Sequence, residues 1–201
     1  MLRFALLLSF LLLSVSLTAQ TRDCDLKKDK DGIKVYTCKS DTSKFRSLKA
    51  EFVIENTSIP ELKVFMFNVP NYLKWQYDAI EASMLKKISE HEMIYRIVID
   101  APWPVTNREL IVKFSTILQD DNHASFYINT IVSDFPANKD LVRIPFSQAS
   151  WTIARINNSL QVTYKMNIDP GGYVPPFLVN IAMADGPHES FRNLKKLIER
   201  K

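Results

Sequence analysis

The sequence predicts an α+β domain: a strongly curved antiparallel β-sheet wrapped around a long carboxy-terminal helix. Three observations carry this expectation. Apolar and polar residues alternate over a succession of long segments between Phe45 and Met166, the pattern of strands with one buried face. A single short helical pattern near Ser58 interrupts them, and long consecutive strands pair most economically as antiparallel neighbours. After Asp169 the pattern changes to a turn and a long final helix, the element available to fill the concave side of so large a sheet.

From the amino end, Arg3, the apolar run Phe4 to Leu13, and Leu17-Thr18-Ala19 form the three parts of a secretory signal peptide, with cleavage expected after Ala19. The apolar run is too short for a comfortable membrane span. Residues 1–19 are therefore read as leader and 20–201 as one domain, secreted or periplasmic. Removing the leader's one arginine leaves 25 basic residues against 22 acidic, so the net charge falls from +4 to +3. The basic residues are scattered, which argues against a nucleic-acid surface and leaves weak attraction to anionic membrane.

Cys24 and Cys38 flank the turn signal Lys30-Asp31-Gly32 and fall opposite each other in a hairpin centred on Asp31. In an exported chain a disulfide is the first expectation, with free thiols or a metal as alternatives. No histidine or cysteine has zinc-ligand spacing, so no metal and no cofactor is expected. The next strand, Phe45 to Glu55, turns Leu48, Ala50, Phe52 and Ile54 to one side, and Ser58 caps a helix through Leu62, Phe65 and Met66 that ends at Pro70. Tyr72, Leu73 and Trp75 add a short apolar turn. Strands follow in which Ala82, Met84 and Ile88, then Met93, Tyr95, Ile97 and Ile99, then Leu110, Val112, Phe114 and Leu118, then Phe126 and Ile128 face inward. Arg96 and Asp100 face outward. A hairpin around Asn157-Asn158 sets Trp151 opposite Tyr164, with Ile153, Val162 and Met166 on the same inner row.

Asp169-Pro170-Gly171-Gly172 must turn the chain sharply, and Pro175-Pro176 suits the first turn of the helix that follows. The first two turns, from Phe177 to Ala184, are apolar nearly all round apart from Asn180, more apolar surface than a surface helix needs. Phe191, Leu194 and Ile198 then form a single stripe. Between the halves, Gly186-Pro187 is expected to kink or break the helix, with Pro187 opening a new first turn.

Signals for catalysis are few. The four glycines form no phosphate-cradling loop, and no serine sits in a nucleophile elbow. The inner rows could fill solidly or surround a cavity. The cavity residues expected are Tyr95, Ile97, Trp103, Val112, Phe114, Phe126, Ile128, Trp151, Tyr164, Met166, Phe177, Asn180 and Met183.

The proline-rich loop Ala101-Pro102-Trp103-Pro104-Val105 closing on Asn107-Arg108-Glu109, followed by Asp169-Pro170-Gly171-Gly172-Tyr173-Val174-Pro175 and a final helix, resembles the START domain. This is the lipid-transfer module related to steroidogenic acute regulatory protein, within the helix-grip or Bet v 1-like superfamily. The hairpin Lys30 to Tyr36 fits as well, and the resemblance runs from about Asp23 to Lys201. It implies the helix-grip fold and a hydrophobic tunnel holding one lipid. Sterol-carrying members that resemble this chain place a buried acid and base on neighbouring strands, where an ungapped placement sets Tyr95 and Phe114, which weighs against a sterol.

The expected function is therefore a non-enzymatic binder or carrier of a lipid or other hydrophobic small molecule. Its partners would be that ligand and, transiently, a membrane; no nucleic acid is involved, and the protein is monomeric. Two alternatives stand beside it: a helix-grip enzyme, cyclase or hydrolase, acting on an apolar substrate, and a filled domain without a cavity that serves interaction alone.

Overall fold

The computed structural model describes residues 24–39, 46–174 and 176–199, and omits the side chains of 176–182 and 184. The expected leader at 1–19 lies outside the described residues. The chain begins with a hairpin of β1 (Cys24–Lys30) and β2 (Ile33–Cys38), followed by β3 (Ser47–Glu55). Two helices, α1 (Ile59–Phe67) and α2 (Tyr72–Trp75), flank a 3-10 turn at Val69–Asn71. Then come β4 (Ala79–Lys87), β5 (Glu92–Ile99), β6 (Arg108–Leu118), β7 (His123–Thr130), β8 (Val142–Arg143), β9 (Phe146–Ile156), β10 (Ser159–Asp169) and the long helix α3 (Pro176–Ile198).

All ten strands form one sheet in the order β1-β2-β3-β10-β9-β7-β6-β5-β4, with the two-residue β8 running parallel to the start of β6. Every other pairing is antiparallel. The central join is β3 against β10, strands from opposite ends of the sequence, while α1 and α2 carry the chain across to β4 at the far edge.

Local chemistry accounts for most element ends. Ser58 and Glu61 form a reciprocal capping box that starts α1, the Ser58 side chain accepting from the Glu61 N–H and the Glu61 carboxylate accepting from the Ser58 N–H. The helix stops at Phe67, and Pro70 falls in the 3-10 turn beyond it. In the first hairpin Lys30 faces Ile33 across the two-residue turn Asp31-Gly32, so Cys24 would miss Cys38 by one position. A one-residue bulge between Leu26 and Lys28 restores the register, and Cys24 and Cys38 form a disulfide. The hairpin at Asn157-Asn158 sets Trp151 opposite Tyr164, as the alternation requires.

Three expectations need correction. Met84 and Ile88, expected inside with Ala82, are both exposed: Met84 keeps the register of Ala82 against β5, but β4 is the last strand of the sheet, with a neighbouring strand on one side only, and among its residues Ala79 and Ala82 pack against the core. Leu118 is also exposed, at the far end of β6. The helix does not restart at Pro187: α3 runs unbroken from Pro176 to Ile198. Gly186 explains this, because a residue before proline is held out of the helical region by its Cβ, which glycine lacks. Proline still removes one N–H, and the Ser190 hydroxyl adds a bond of 2.8 Å to the Gly186 carbonyl one turn earlier.

The second half of α3 is fixed to the sheet. Phe191, Leu194 and Ile198 are buried, and the Phe191 ring stacks on Phe52 at 4.6 Å and meets Tyr164 and Trp151 edge-on at 5.0 and 5.5 Å. Asp185 pairs with Lys28 at 2.7 Å, and Glu199 accepts the Glu55 N–H at 2.8 Å, tying the helix to β1 and to the end of β3.

The Cys24–Cys38 bridge spans 14 residues, for which loop entropy gives about 3 kcal/mol of stabilisation. Reduction, or Cys38→Ser, is expected to lower Tm by about 6–12 °C, at roughly 2–4 °C per kcal/mol in a chain of this size. Calorimetry with and without reductant checks this, and an unchanged Tm would mean that the bridge constrains nothing.

Candidate functional site

Between the concave face of the sheet and α3 lies a cavity of about 370 Å³. Its walls are the inner rows of β5, β6, β7, β9 and β10, with Met183 and Phe191 on the helix side and apolar atoms predominating throughout. Of the residues expected there, Tyr95, Ile97, Val112, Ile128, Trp151, Tyr164, Met166 and Met183 line it. Phe114 and Phe126 do not. They sit on the same inner face, but their rings pack together at 5.6 Å and Phe67 of α1 closes on Phe114 at 5.3 Å, so that end of the concave face is solid. Trp103 is not inside either: it projects from the proline-rich loop and is 92% exposed. The side chains of Phe177 and Asn180 lie outside the described residues.

The loops supply lining residues that strand periodicity missed. Trp75 to Asp78 enter from the α2–β4 connection, Asp100, Ala101, Pro102 and Val105 from the β5–β6 loop, and Pro170 and Val174 from the turn before α3. Asp100, expected to face outward, is exposed at the cavity's border. Gly186, Pro187 and Ser190 line it from α3, and the Ser190 hydroxyl accepts the Tyr77 N–H at 3.0 Å.

The turn before α3 and the loop after β5 are built as one unit. Gly171 and Gly172 both have positive φ, and the Asp169 carboxylate accepts the Gly171 N–H at 3.0 Å. A Cβ at Gly171 would lie 2.9 Å from Pro145 Cδ, so both backbone conformation and close approach require glycine there. The Asn107 amide oxygen accepts the Ala101 N–H at 3.0 Å and closes the proline-rich loop, while the Asn107 carbonyl accepts the Val142 N–H at 2.9 Å. Arg108 spans the two segments, donating to the Thr106 carbonyl and, at 3.5 Å, to the Gly171 carbonyl.

Polar groups in the cavity are few. The Tyr95 hydroxyl is paired with Tyr72, which itself donates to the Met66 carbonyl at 2.7 Å. The Tyr164 hydroxyl has no hydrogen-bond partner among the described residues, and burial pushes the phenols of Tyr95 and Tyr164 well above their ordinary range, so both stay neutral donors. At the border, partial burial and the neighbouring Asp100 raise the Asp78 carboxyl above its usual value. Burial alone lowers the Arg108 guanidinium from its ordinary value. Among the described residues no group of three or more His, Cys, Asp or Glu side chains could hold a metal ion.

The chain matches the START domain family model over residues 23–200. It is 26% identical to an uncharacterized protein of Pseudomonas aeruginosa, covering 91% of this chain and 90% of that one. It is 23% identical to mouse (Mus musculus) phosphatidylcholine transfer protein, covering 87% and 83% respectively. Among solved structures, a STAR-related lipid transfer protein of Xanthomonas axonopodis superposes with a TM-score of 0.80 at 25% identity, over 89% of this chain and 99% of that one. Human StAR-related lipid transfer protein 5 gives 0.76 at 15% identity over 90% and 89%, a likeness of fold.

Gly171→Ala is expected to cost about 1–3 kcal/mol through positive φ together with the Pro145 contact. Gly172→Ala, with its nearest Cβ contact at 3.6 Å, carries only the backbone strain and should cost less. Denaturant titration of both variants measures the difference, and equal losses would show that the approach to Pro145 imposes nothing.

Proposed function

The chain belongs to the START domain family, and from this we propose that it is a non-enzymatic binder and carrier of one lipid or other hydrophobic small molecule, acting outside the cytoplasm. The observation that carries the reading is the apolar cavity between sheet and helix, whose volume falls in the range of small-molecule sites. A ligand burying about 300 Å² of apolar surface there would gain roughly 7 kcal/mol from burial. Tyr164 lines the cavity, and its hydroxyl, without a partner among the described residues, is available to a polar group of the ligand. The similar proteins whose names include lipid or phosphatidylcholine transfer support the carrier reading over the cyclase or hydrolase alternative. Export is supported by the amino-terminal leader pattern and by the Cys24–Cys38 disulfide, a bond that persists in oxidising compartments.

Transient membrane contact is part of the proposal. Trp103 at 92% exposure, Tyr173 at 88% and the fully exposed Val132 follow the ends of β5, β10 and β7, at one end of the sheet's strands. At that same end Pro102, Val105, Pro170 and Val174 border the cavity. Exposed aromatic and aliphatic side chains beside an apolar opening suit insertion into a lipid interface, where a ligand can pass without crossing water.

Native mass spectrometry of the protein purified from its own compartment, followed by organic extraction, is expected to show one apolar molecule per chain. A bare protein that also takes up no fluorescent fatty acid, phospholipid or sterol would favour the interaction domain, and a chemically altered ligand would favour the enzyme. Trp103→Ala is expected to slow ligand transfer between vesicles about tenfold, the scale of losing one inserted indole, with binding of a predispersed ligand changed less than twofold or so. Unaltered transfer would remove Trp103 from the membrane contact.

A further inference from the structure

Arg108 is the feature that structural duty explains least. It is 7% exposed and borders the cavity, yet no carboxylate among the described residues pairs with it. Its neighbour Glu109, on the opposite face of β6, shows what this protein does with two partly buried arginines. Glu109 accepts from Arg96 at 2.5 Å and from Arg143 at 2.6 Å, so the outer guanidinium groups are compensated. Among the described residues Arg108 has only the carbonyl dipoles of Thr106 and Gly171, and its side chain offers more N–H donors than those two bonds use.

A guanidinium cannot shed its proton at any ordinary pH, so the folded protein carries this buried charge permanently. Leaving a buried charge without a counter-ion is costly, and the cost is relieved when an anion arrives. Asp78 and Asp100, the acidic residues at the cavity's border, do not serve. Neither forms an ion pair with Arg108, and Asp100 instead acts on Asp78, whose carboxyl it raises.

Resting on the carrier reading, we infer that Arg108 is the anion anchor of the cavity, and that the ligand is an amphiphile with one compact anionic head, carboxylate or phosphate, and an apolar tail. The head pairs with the donors of Arg108 that the two carbonyls leave free, while the tail runs inward past Ile97, Val112 and Trp151. Carbonyl contacts on two sides hold the guanidinium in place before the ligand arrives, so little ordering is needed on binding. The head then lies where the β5–β6 loop meets the turn before α3, the two segments that Arg108 already joins.

The test is displacement of the neutral dye Nile red from the full chain at pH 8 by matched pairs of ligands. Lauric acid against 1-dodecanol probes a carboxylate head, and lysophosphatidic acid against monoacylglycerol probes a phosphate head. In at least one pair the anion should bind about tenfold or more tighter than its neutral partner, the scale of a charge-assisted hydrogen bond. The pair showing the larger ratio identifies the head. In Arg108→Gln the ratio should collapse toward one, and in Arg108→Lys, which keeps the charge, it should be partly restored. If Arg108→Gln fails to fold, the wild-type ratio and Arg108→Lys decide. Anions and neutral partners binding equally well to the wild type, or a ratio that survives in Arg108→Gln, would overturn the anchor and leave the carrier intact. Failure of all four ligands to displace the dye would count against the carrier reading itself.

Discussion

The contact of Phe191 with Phe52, Trp151 and Tyr164 is the interaction on which the architecture depends. Phe52, Trp151 and Tyr164 lie on β3, β9 and β10, the strands that join the amino-terminal and carboxy-terminal parts of the chain. Four aromatic side chains in mutual contact bury a large apolar area at one point, and edge-on geometry adds to it. This fixes the second half of α3 over the centre of the sheet. The first half is then carried over the remainder of the concave face, where Met183 meets the cavity. Because Phe191 is itself part of the cavity wall, the group that docks the helix also bounds the space beneath it.

The two ends of the concave face have different fates for a simple reason of supply. Toward the β6–β7 hairpin, α1 brings Phe67 onto Phe114, and the rings fill the volume. Toward the start of β6 the wall is completed by loops, with Pro102 and Val105 after β5 and Pro170 and Val174 before α3 bordering the cavity. The same edge carries the charge arrangement. Arg96 and Arg143 share Glu109 on the outer face, and both guanidinium groups also lie over the Phe135 ring at 5.8 and 6.0 Å. Burial pushes the Glu109 carboxyl up, but the two arginines pull it lower than its ordinary value, so it remains ionised as their counter-charge. Arg108, one residue earlier and facing inward, has none among the described residues.

Much of this fold was legible because its signals are local. The capping box at Ser58 and Glu61, the positive φ of Gly171 and Gly172, and the pairing of Trp151 with Tyr164 each follow from a few adjacent residues. Errors arose where a local pattern was overridden. Met84, in register with Ala82, is exposed because β4 is the last strand of the sheet, and the missing Cβ of Gly186 let the helix continue through Pro187. At the site, alternation identified the inward face correctly for Tyr95, Ile97, Val112 and Tyr164, but it carries no information about depth. It therefore could not separate those residues from Phe114 and Phe126, which lie in the solid core. Nor does a bulky apolar residue in a loop declare which way it points: Trp103 went to solvent.

By itself, then, the sequence determined most of the strands and their faces and the turn that launches the last helix, since period and turn chemistry act over a handful of residues, whereas a bulge brought Cys24 into register with Cys38. The tertiary structure alone decided that β3 lies beside β10, that a two-residue β8 attaches to β6, and that part of the inner face stays open. It also decided that the buried Arg108 has no carboxylate partner among the described residues. An empty volume and an unpaired charge are both defined by what remote segments fail to bring, and no local pattern records that.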